Sequence, residues 1–345
     1  MTTEANKEEP LILPEYVEGG QLRLSLSSAS SASSAERTVL TCMIVKAFRP
    51  FTLSPVLIVS LDRSSAPTNV QAALPPTAIV KLYDRRCFTN VREEFDEAAP
   101  WSLDKEREYR KYLDDVAAGT VARGDFASQT FMWDNDVSDG EFEAYLHFQA
   151  HKIFDAERTA YERLHALQGT KIPKLYGTVG YDITLSDARS GGPTSVTETV
   201  PGLLLEYIPG PTLRQLVETW KARDPPLPNT VLVTLCDDAV SVVDRVSDFN
   251  VLNADVRVDN FLVREPFVHA SSSTVVQDAV VLIDLGQARL RGTHEGEDEW
   301  TKAKWAQDET GAVGFVALGL VREFVGEDVW SYERSMRYYQ PVEEE

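Results

Sequence analysis

The stretch NADVRVDN at residues 253–260, together with VVLIDLG at residues 280–286, decides the fold of this chain. The first stretch places Asp255 five residues before Asn260, and the second is an apolar run that leads into Asp284. Phosphoryl transfer needs a carboxylate that orients or deprotonates the attacking hydroxyl, and it needs side-chain oxygens that hold Mg²⁺ between phosphates. These two stretches supply such groups in that order, with Asp255 as the candidate catalytic carboxylate and Asn260 and Asp284 as candidate metal ligands, although an Asp–Asn pair at this spacing taken alone is more often a solvated turn.

These two stretches resemble the catalytic loop H-R-D-x-x-x-x-N and the D-F-G motif of the protein kinase superfamily. That family also uses a strand lysine on the α and β phosphates and a helix glutamate that holds the lysine. AIVK at residues 78–81 is similar to its V-A-I-K strand, so the resemblance implies that Lys81 contacts the phosphates of ATP. For the glutamate we choose Glu157, which lies on a predicted helix at the spacing that the family uses before its next strand. The sequence leaves three other glutamates open for this role: Glu94, Glu106 and Glu108.

LLLEYIPG at residues 203–210 looks like the kinase hinge. The resemblance implies that the backbone of Glu206 and Ile208 meets the adenine edge and that Leu205 is the gatekeeper beside the base. Four motifs therefore occur in the family's order. Segments such as LYDRR at residues 82–86 also resemble the sequences of the divergent kinase-like proteins that are abundant in fungi.

The resemblance implies an α+β, two-lobed protein-kinase-like fold, with an antiparallel sheet and one long helix in the N-lobe and a compact, mostly helical C-lobe. The expected parts are an acidic tail at residues 1–20, an N-lobe at 21–208 and a short C-lobe at 209–345. Within the N-lobe, residues 90–140 mix acidic and aromatic residues and are predicted to be an insertion.

Local patterns predict the elements of this fold. Runs rich in Val, Ile, Leu and Thr are typical of strands. We predict strands at residues 21–26, 39–48, 56–61, 77–83, 171–179, 202–207, 256–264 and 280–285. Apolar residues at spacings of three, four and seven predict helices. We predict helices at residues 105–118, 142–167, 230–249 and 301–324, with Gly169 as a C-terminal stop after the second.

The chain departs from the kinase pattern in several places. Asn253 and Ala254 replace the histidine and arginine of H-R-D. In regulated protein kinases that arginine pairs with a phosphorylated activation loop, so its loss suggests that this chain has no such switch. No G-x-G-x-x-G occurs between the first strands, where a Ser/Ala tract stands at residues 27–35, and Leu285 replaces the phenylalanine of D-F-G. Only 61 residues follow Asp284, and none of them spell A-P-E.

The short C-lobe resembles the aminoglycoside-phosphotransferase-type branch, in which small hydroxyl compounds are often the acceptors. Arg257, two residues after Asp255, is a further candidate catalytic residue, although that branch does not always require a cation there.

Composition limits the partners. The formal net charge of −20 repels polyphosphate backbones, so we expect no nucleic-acid partner. No secretion signal or run of about 18 apolar residues is visible, and we expect a soluble protein of the cytoplasm or nucleus with no membrane partner. The three scattered cysteines are predicted to be buried free thiols. His147 and His151 have metal-ligand spacing, but a solvated helix face is the favoured interpretation.

Three hypotheses follow for the function. The first is an enzyme that uses ATP and Mg²⁺ to phosphorylate a hydroxyl acceptor, either a protein or a small molecule. The second is a pseudokinase that serves as a nucleotide-binding or scaffolding module without turnover. The third is an interaction protein whose acidic insertion at residues 90–140 binds a basic protein partner.

Overall fold

The computed structural model describes residues 13–28, 38–65, 67–94, 100–128, 131, 137–186, 195–268 and 274–340. Most of the predicted acidic tail and most of the Ser/Ala tract lie outside these ranges, as do residues 271–273, whose three serines predict a turn between two strands. The chain forms two compact units. Unit 1 comprises Met1–Phe154 and Tyr176–Glu206, and unit 2 comprises Asp155–Leu175 and Tyr207–Glu345.

Unit 1 contains a closed barrel of six strands. In chain order the strands are β1 (Gln21–Ser28), β2 (Thr38–Ala47), β3 (Val56–Asp62), β4 (Thr77–Leu82), β5 (Leu175–Ser186) and β6 (Ser195–Glu206). Around the barrel they follow the order β1, β2, β3, β4, β6 and β5, and antiparallel pairing of β5 with β1 closes the ring. The antiparallel sheet matches the sequence-based expectation, whereas its closure was not predicted.

Alternation along the strands explains where the barrel core lies. Leu22, Leu24 and Leu26 of β1 are buried, as are Leu40 and Ile44 of β2. Successive side chains of a strand point to opposite faces, so one face of each strand fills the barrel interior. Removal of these apolar side chains from water is the main source of stability for such a core.

Among the described residues, unit 1 has three helices before the long helix: α1 (Thr68–Ala73), α2 (Thr89–Glu94) and α3 (Leu103–Ala117). Of these, α2 and α3 fall in the region of the predicted insertion. The long helix is α4 (Asp139–Arg163), and its last turns belong to unit 2. Between α3 and α4 lies a second core of Tyr109, Tyr112, Phe126, Phe131 and Ala144. The two helices pass close together at Gly140, where an added Cβ would overlap the Glu108 carbonyl.

Unit 2 is mostly helical around two small sheets. Its helices are α5 (Leu213–Glu218), α6 (Asn229–Ser247), α7 (Glu297–Gln307) and α8 (Glu309–Phe324). Its strands are β7 (Val251–Asn253), β8 (Phe261–Val263), β9 (Val280–Leu282) and β10 (Ala288–Leu290), which pair as β7 with β10 and as β8 with β9.

Several element boundaries differ from the sequence-based predictions. The predicted helix at residues 301–324 is two helices, because Asp308 adopts a left-handed conformation with φ of 45° and its side chain accepts from Gly311 N–H. The predicted strand at residues 256–264 is a 3₁₀ turn at Val258–Asn260 followed by the short strand β8. The predicted strand at residues 171–179 begins only at Leu175.

The sequence-based expectation for the cysteines is confirmed. All three cysteines are free and buried, and burial raises the pKa of Cys42 to about 12. The helices of the described residues include none with the length and apolar character that a bilayer crossing requires.

Candidate functional site

Asn253 connects the two motif stretches from which the site was predicted. Its side chain lies at the end of β7 and is fully buried. The Asn253 Oδ1 atom accepts a hydrogen bond from Asp255 N–H at 3.1 Å, and Nδ2 donates to the Asp284 carbonyl at 3.2 Å. The structure therefore joins the loop of Asp255 to the backbone of Asp284, although 28 residues lie between them in the chain.

The predicted metal ligand Asn260 belongs to the same cluster. Its Nδ2 donates to the Asp255 carbonyl at 2.9 Å, which leaves the Oδ1 atom as the oxygen available to a cation. Its own carbonyl accepts from Ile283 N–H at 2.8 Å. Since Phe261 pairs with Leu282 across β8 and β9, residues 260 and 283 are held next to each other.

Asp284 has an uncommon backbone conformation. Its φ is 64°, in the left-handed region that non-glycine residues rarely adopt. Such conformations cost about 1–3 kcal/mol, and they cluster at functional sites. Two hydrogen bonds accompany this conformation. Asn253 donates to the Asp284 carbonyl, and Gly286 N–H donates to Asp284 Oδ1 at 3.3 Å.

Glu157 contacts the segment that follows Asp284. It lies in the part of α4 that belongs to unit 2, its side chain is fully buried, and its Oε1 atom accepts from Leu285 N–H at 3.3 Å. Of the three alternatives, Glu94 and Glu108 are exposed in unit 1, and Glu106 forms ion pairs with arginines of unit 1.

Arg257 forms an ion pair with Asp255. Its Nη2 atom lies 3.0 Å from Asp255 Oδ2, and its side chain is 60% exposed. An exposed pair of this kind contributes little to stability, so the guanidinium is free to exchange the carboxylate for another anion at small cost.

A buried ion pair that the sequence analysis missed supports the Asp255 loop. Glu309, the first residue of α8, accepts from Asn253 N–H at 2.8 Å through Oε1 and pairs with the ammonium of Lys304 through Oε2. Lys304 also donates to Ser247 Oγ at 2.7 Å and to the Val251 carbonyl at 3.0 Å. Burial lowers the pKa of Lys304 and raises the pKa of Glu309, while their mutual attraction opposes both changes.

The only sequence signal for this pair is a lysine and a glutamate five residues apart, within residues 301–324 that the pattern predicts to be one helix. That signal is weak, because charged residues on helices are usually solvated.

Lys81 and Leu205 occupy neighbouring strands of unit 1. Lys81 pairs in register with Leu203, and Ile79 pairs with Leu205. Because alternate residues share a face, Lys81 and Leu205 lie on the same face of this strand pair, opposite to the one that fills the barrel. Lys81 is only 7% exposed, and its Nζ atom lies 5.8 Å from the centre of the Tyr83 ring.

The other predicted hinge residues fall at the unit boundary. Glu206 is the last residue of β6, opposite Ala78, and is half-buried. Ile208 belongs to unit 2 and is buried.

The histidine pair lies in unit 1. The His147 and His151 rings are half-buried, with centroids 4.3 Å apart, and His147 Nδ1 lies 3.0 Å from Glu198 Oε1. Both histidines line a cleft bounded by α3, α4 and β6, so this face of α4 is only partly covered by other elements.

Among the described residues, no three or more His, Cys, Asp or Glu side chains are grouped so that they could hold a metal ion. Mg²⁺ bound together with nucleotide phosphates needs only one or two protein carboxylates, because phosphate oxygens and water complete its octahedron. The oxygens of Asn260 and Asp284 have the chemistry that such a site requires.

No family model matches the chain, and no curated protein matches it either.

Proposed function

We propose that this protein is an ATP-dependent phosphotransferase of the two-lobed protein-kinase-like fold, which transfers the γ-phosphoryl group to a hydroxyl acceptor on a protein or a small molecule. The main support is the Asn253 bridge, because it joins the predicted base Asp255 to the predicted metal ligand Asp284. In this proposal unit 1 is the N-lobe and unit 2 is the C-lobe.

Each residue has one role in the proposed reaction. The acceptor oxygen forms a bond to the γ-phosphorus, the bond from that phosphorus to the β,γ-bridging oxygen breaks, and ADP leaves. The proton of the acceptor hydroxyl passes to the Asp255 carboxylate. Asn260 and Asp284 hold Mg²⁺, which when bound neutralises charge on the phosphate oxygens.

Further roles come from the motif resemblance. Lys81 contacts the phosphates, Glu157 steadies that lysine, and Arg257 assists at the γ-phosphate. Leu205 lies beside adenine, and the backbone of Glu206 and Ile208 binds its edge. The Glu157 contact with Leu285 N–H gives this glutamate a second role, because it also holds the residue after Asp284.

Hydrolysis and transfer of labelled ATP test the proposal, with the Asp255→Asn variant as the decisive change. We expect the variant to lose at least about 100-fold in turnover, the usual effect of removing a general base. It should keep the rise in melting temperature that ATP and Mg²⁺ produce, since ligand binding stabilises the native state. Asp259→Asn is the matched control, because Asp259 lies in the same loop but is exposed and bonds to Arg214 at 2.9 Å.

Each outcome has a definite meaning. Full hydrolysis by Asp255→Asn would show that Asp255 is not the base. A melting shift without turnover in the wild type would identify a pseudokinase. The absence of any shift would exclude both nucleotide-using hypotheses.

A further inference from the structure

Unit 1 contains a cleft that none of the roles above uses. It has a volume of about 550 Å³ and is bounded by α3, the segment after it, α4 and β6. Sites for small organic molecules typically measure about 300–1,000 Å³. The cleft therefore has the size of a binding site for a compound of that class.

The walls of the cleft are aromatic and held in place. Tyr109 and Phe126 are 3% and 5% exposed, and the Phe126 and Phe148 rings have centroids 6.1 Å apart. The Tyr112 hydroxyl accepts from Gly124 N–H at 3.1 Å and so fixes the segment that carries Phe126. Rigid rings of this kind offer large contact area at little cost in conformational entropy.

The carboxylate in the wall, Glu198, is already paired with basic side chains of unit 1. Glu198 accepts from Arg110 at 2.8 Å, lies 3.0 Å from His147 Nδ1 and is 3.4 Å from Arg85 Nη2. Burial alone would raise the pKa of Glu198, but the His147 hydrogen bond and the charges of Arg85 and Arg110 outweigh it and lower the pKa to about 2. A ligand therefore meets a carboxylate whose charge is balanced by three cationic or proton-donating groups.

Arg123 supplies a cation at the edge of the same cleft. It is exposed, and it forms no ion pair with any part of the chain that the structure describes. Since Arg123 is exposed and has no ion-pair partner among the described residues, its guanidinium can pair with an acidic group of a ligand at the edge of the cleft. An aromatic ligand with a negative group would match both features.

We propose that this cleft binds a planar aromatic organic anion, whose ring packs against Tyr109, Phe126 and Phe148 and whose acidic group pairs with Arg123. The proposal uses only unit 1 and does not depend on phosphotransfer.

Fluorescence titration with 1-anilinonaphthalene-8-sulfonate tests this assignment, with N-phenyl-1-naphthylamine as the neutral probe of similar shape. We expect saturable 1:1 binding of the sulfonate, weaker binding of the neutral amine and a higher melting temperature with the sulfonate, since it binds the native state. Arg123→Gln should weaken sulfonate binding about five-fold, which is the size of one partly exposed ion pair.

Two further variants make the result decisive. Val116→Trp places an indole at the half-buried lining position of α3 and should abolish the binding. Lys111→Gln removes an exposed cation of the same helix outside the cleft and should leave the dissociation constant unchanged. Non-saturable binding, equal affinity for the two probes, or unchanged binding in both Val116→Trp and Arg123→Gln would overturn the proposal.

Discussion

At the scale of single residues, the buried carboxamide of Asn253 holds the candidate site together, because it donates to one motif stretch and accepts from the other. We predict that Asn253→Ala lowers the free energy of unfolding by about 1–3 kcal/mol, since the change leaves partly buried backbone groups of Asp255 and Asp284 without this partner. Chemical denaturation measures this loss, and an ATP turnover assay should show a fall in rate as well.

Gln307→Ala provides the comparison for that variant. Gln307 donates to the Ala254 carbonyl at 3.0 Å in the same loop, but this hydrogen bond is exposed, so water can replace it. Its unfolding free energy should stay within about 0.5 kcal/mol of the wild type. An Asn253→Ala protein as stable as Gln307→Ala would show that the bridge does not hold the loop.

The sequence predicted part of this residue-scale arrangement. The spacing of Asp255, Asn260 and Asp284 is visible in the chain because each lies within a short motif. Asn253 was seen only as a replacement for the motif histidine, because its hydrogen-bond partner Asp284 is 31 residues away. A contact over that distance depends on how β7 and β9 are placed, which no local pattern states.

At the scale of secondary-structure elements, the junction of α7 and α8 is held to β7 by Lys304 and Glu309. We predict that Lys304→Met and Glu309→Gln each lower the free energy of unfolding by about 3–5 kcal/mol, because each leaves one buried charge without its partner. The double variant should lose clearly less than the sum of the two. Chemical denaturation of all four proteins completes the double-mutant cycle.

An exposed pair in the same region is the control for this cycle. Arg334 Nε lies 2.9 Å from Asp308 Oδ2, and the Arg334 side chain is 40% exposed. Arg334→Gln should cost no more than about 1 kcal/mol. Strictly additive losses for Lys304 and Glu309 would contradict the assignment of a coupled buried pair.

Elements with a long periodic pattern were predicted best. The long helix and the helix of residues 230–249 are confirmed as α4 and α6, because their apolar stripes extend over many turns. Closure of the barrel was missed, because it depends on β1 meeting β5 across about 150 residues of chain. The split at Asp308 was missed because an aspartate in the left-handed conformation leaves no distinctive pattern in the sequence.

At the scale of the whole molecule, acid should weaken unit 1 through Glu198. The folded pKa of this residue is about 2, against an ordinary value of 4.5. Since the folded value is lower, the ionised form stabilises the fold above pH 4.5, and this contribution disappears as the pH falls towards 2. The difference of 2.5 units corresponds to about 3 kcal/mol at most.

Glu198→Gln tests this prediction, because it removes the titrating group while leaving a polar side chain of similar size. Its melting temperature should fall less between pH 4.5 and 2 than that of the wild type, even if the variant is less stable at neutral pH. Glu162→Gln, which changes an exposed glutamate of α4, should leave the wild-type slope unchanged. Equal slopes for the wild type and Glu198→Gln would contradict the assigned pKa.

The central claim for the molecule is that Asn260 and Asp284 hold a divalent ion together with nucleotide phosphates, and calorimetric titration with a non-hydrolysable ATP analogue tests it most directly. We predict at least about ten-fold tighter binding with Mg²⁺ than with a chelator, because the ion joins protein oxygens to phosphate oxygens. Asp284→Asn, which keeps a residue that tolerates the left-handed conformation, should remove that difference. Equal affinity of the wild type with and without Mg²⁺, or no binding at all, would contradict the account.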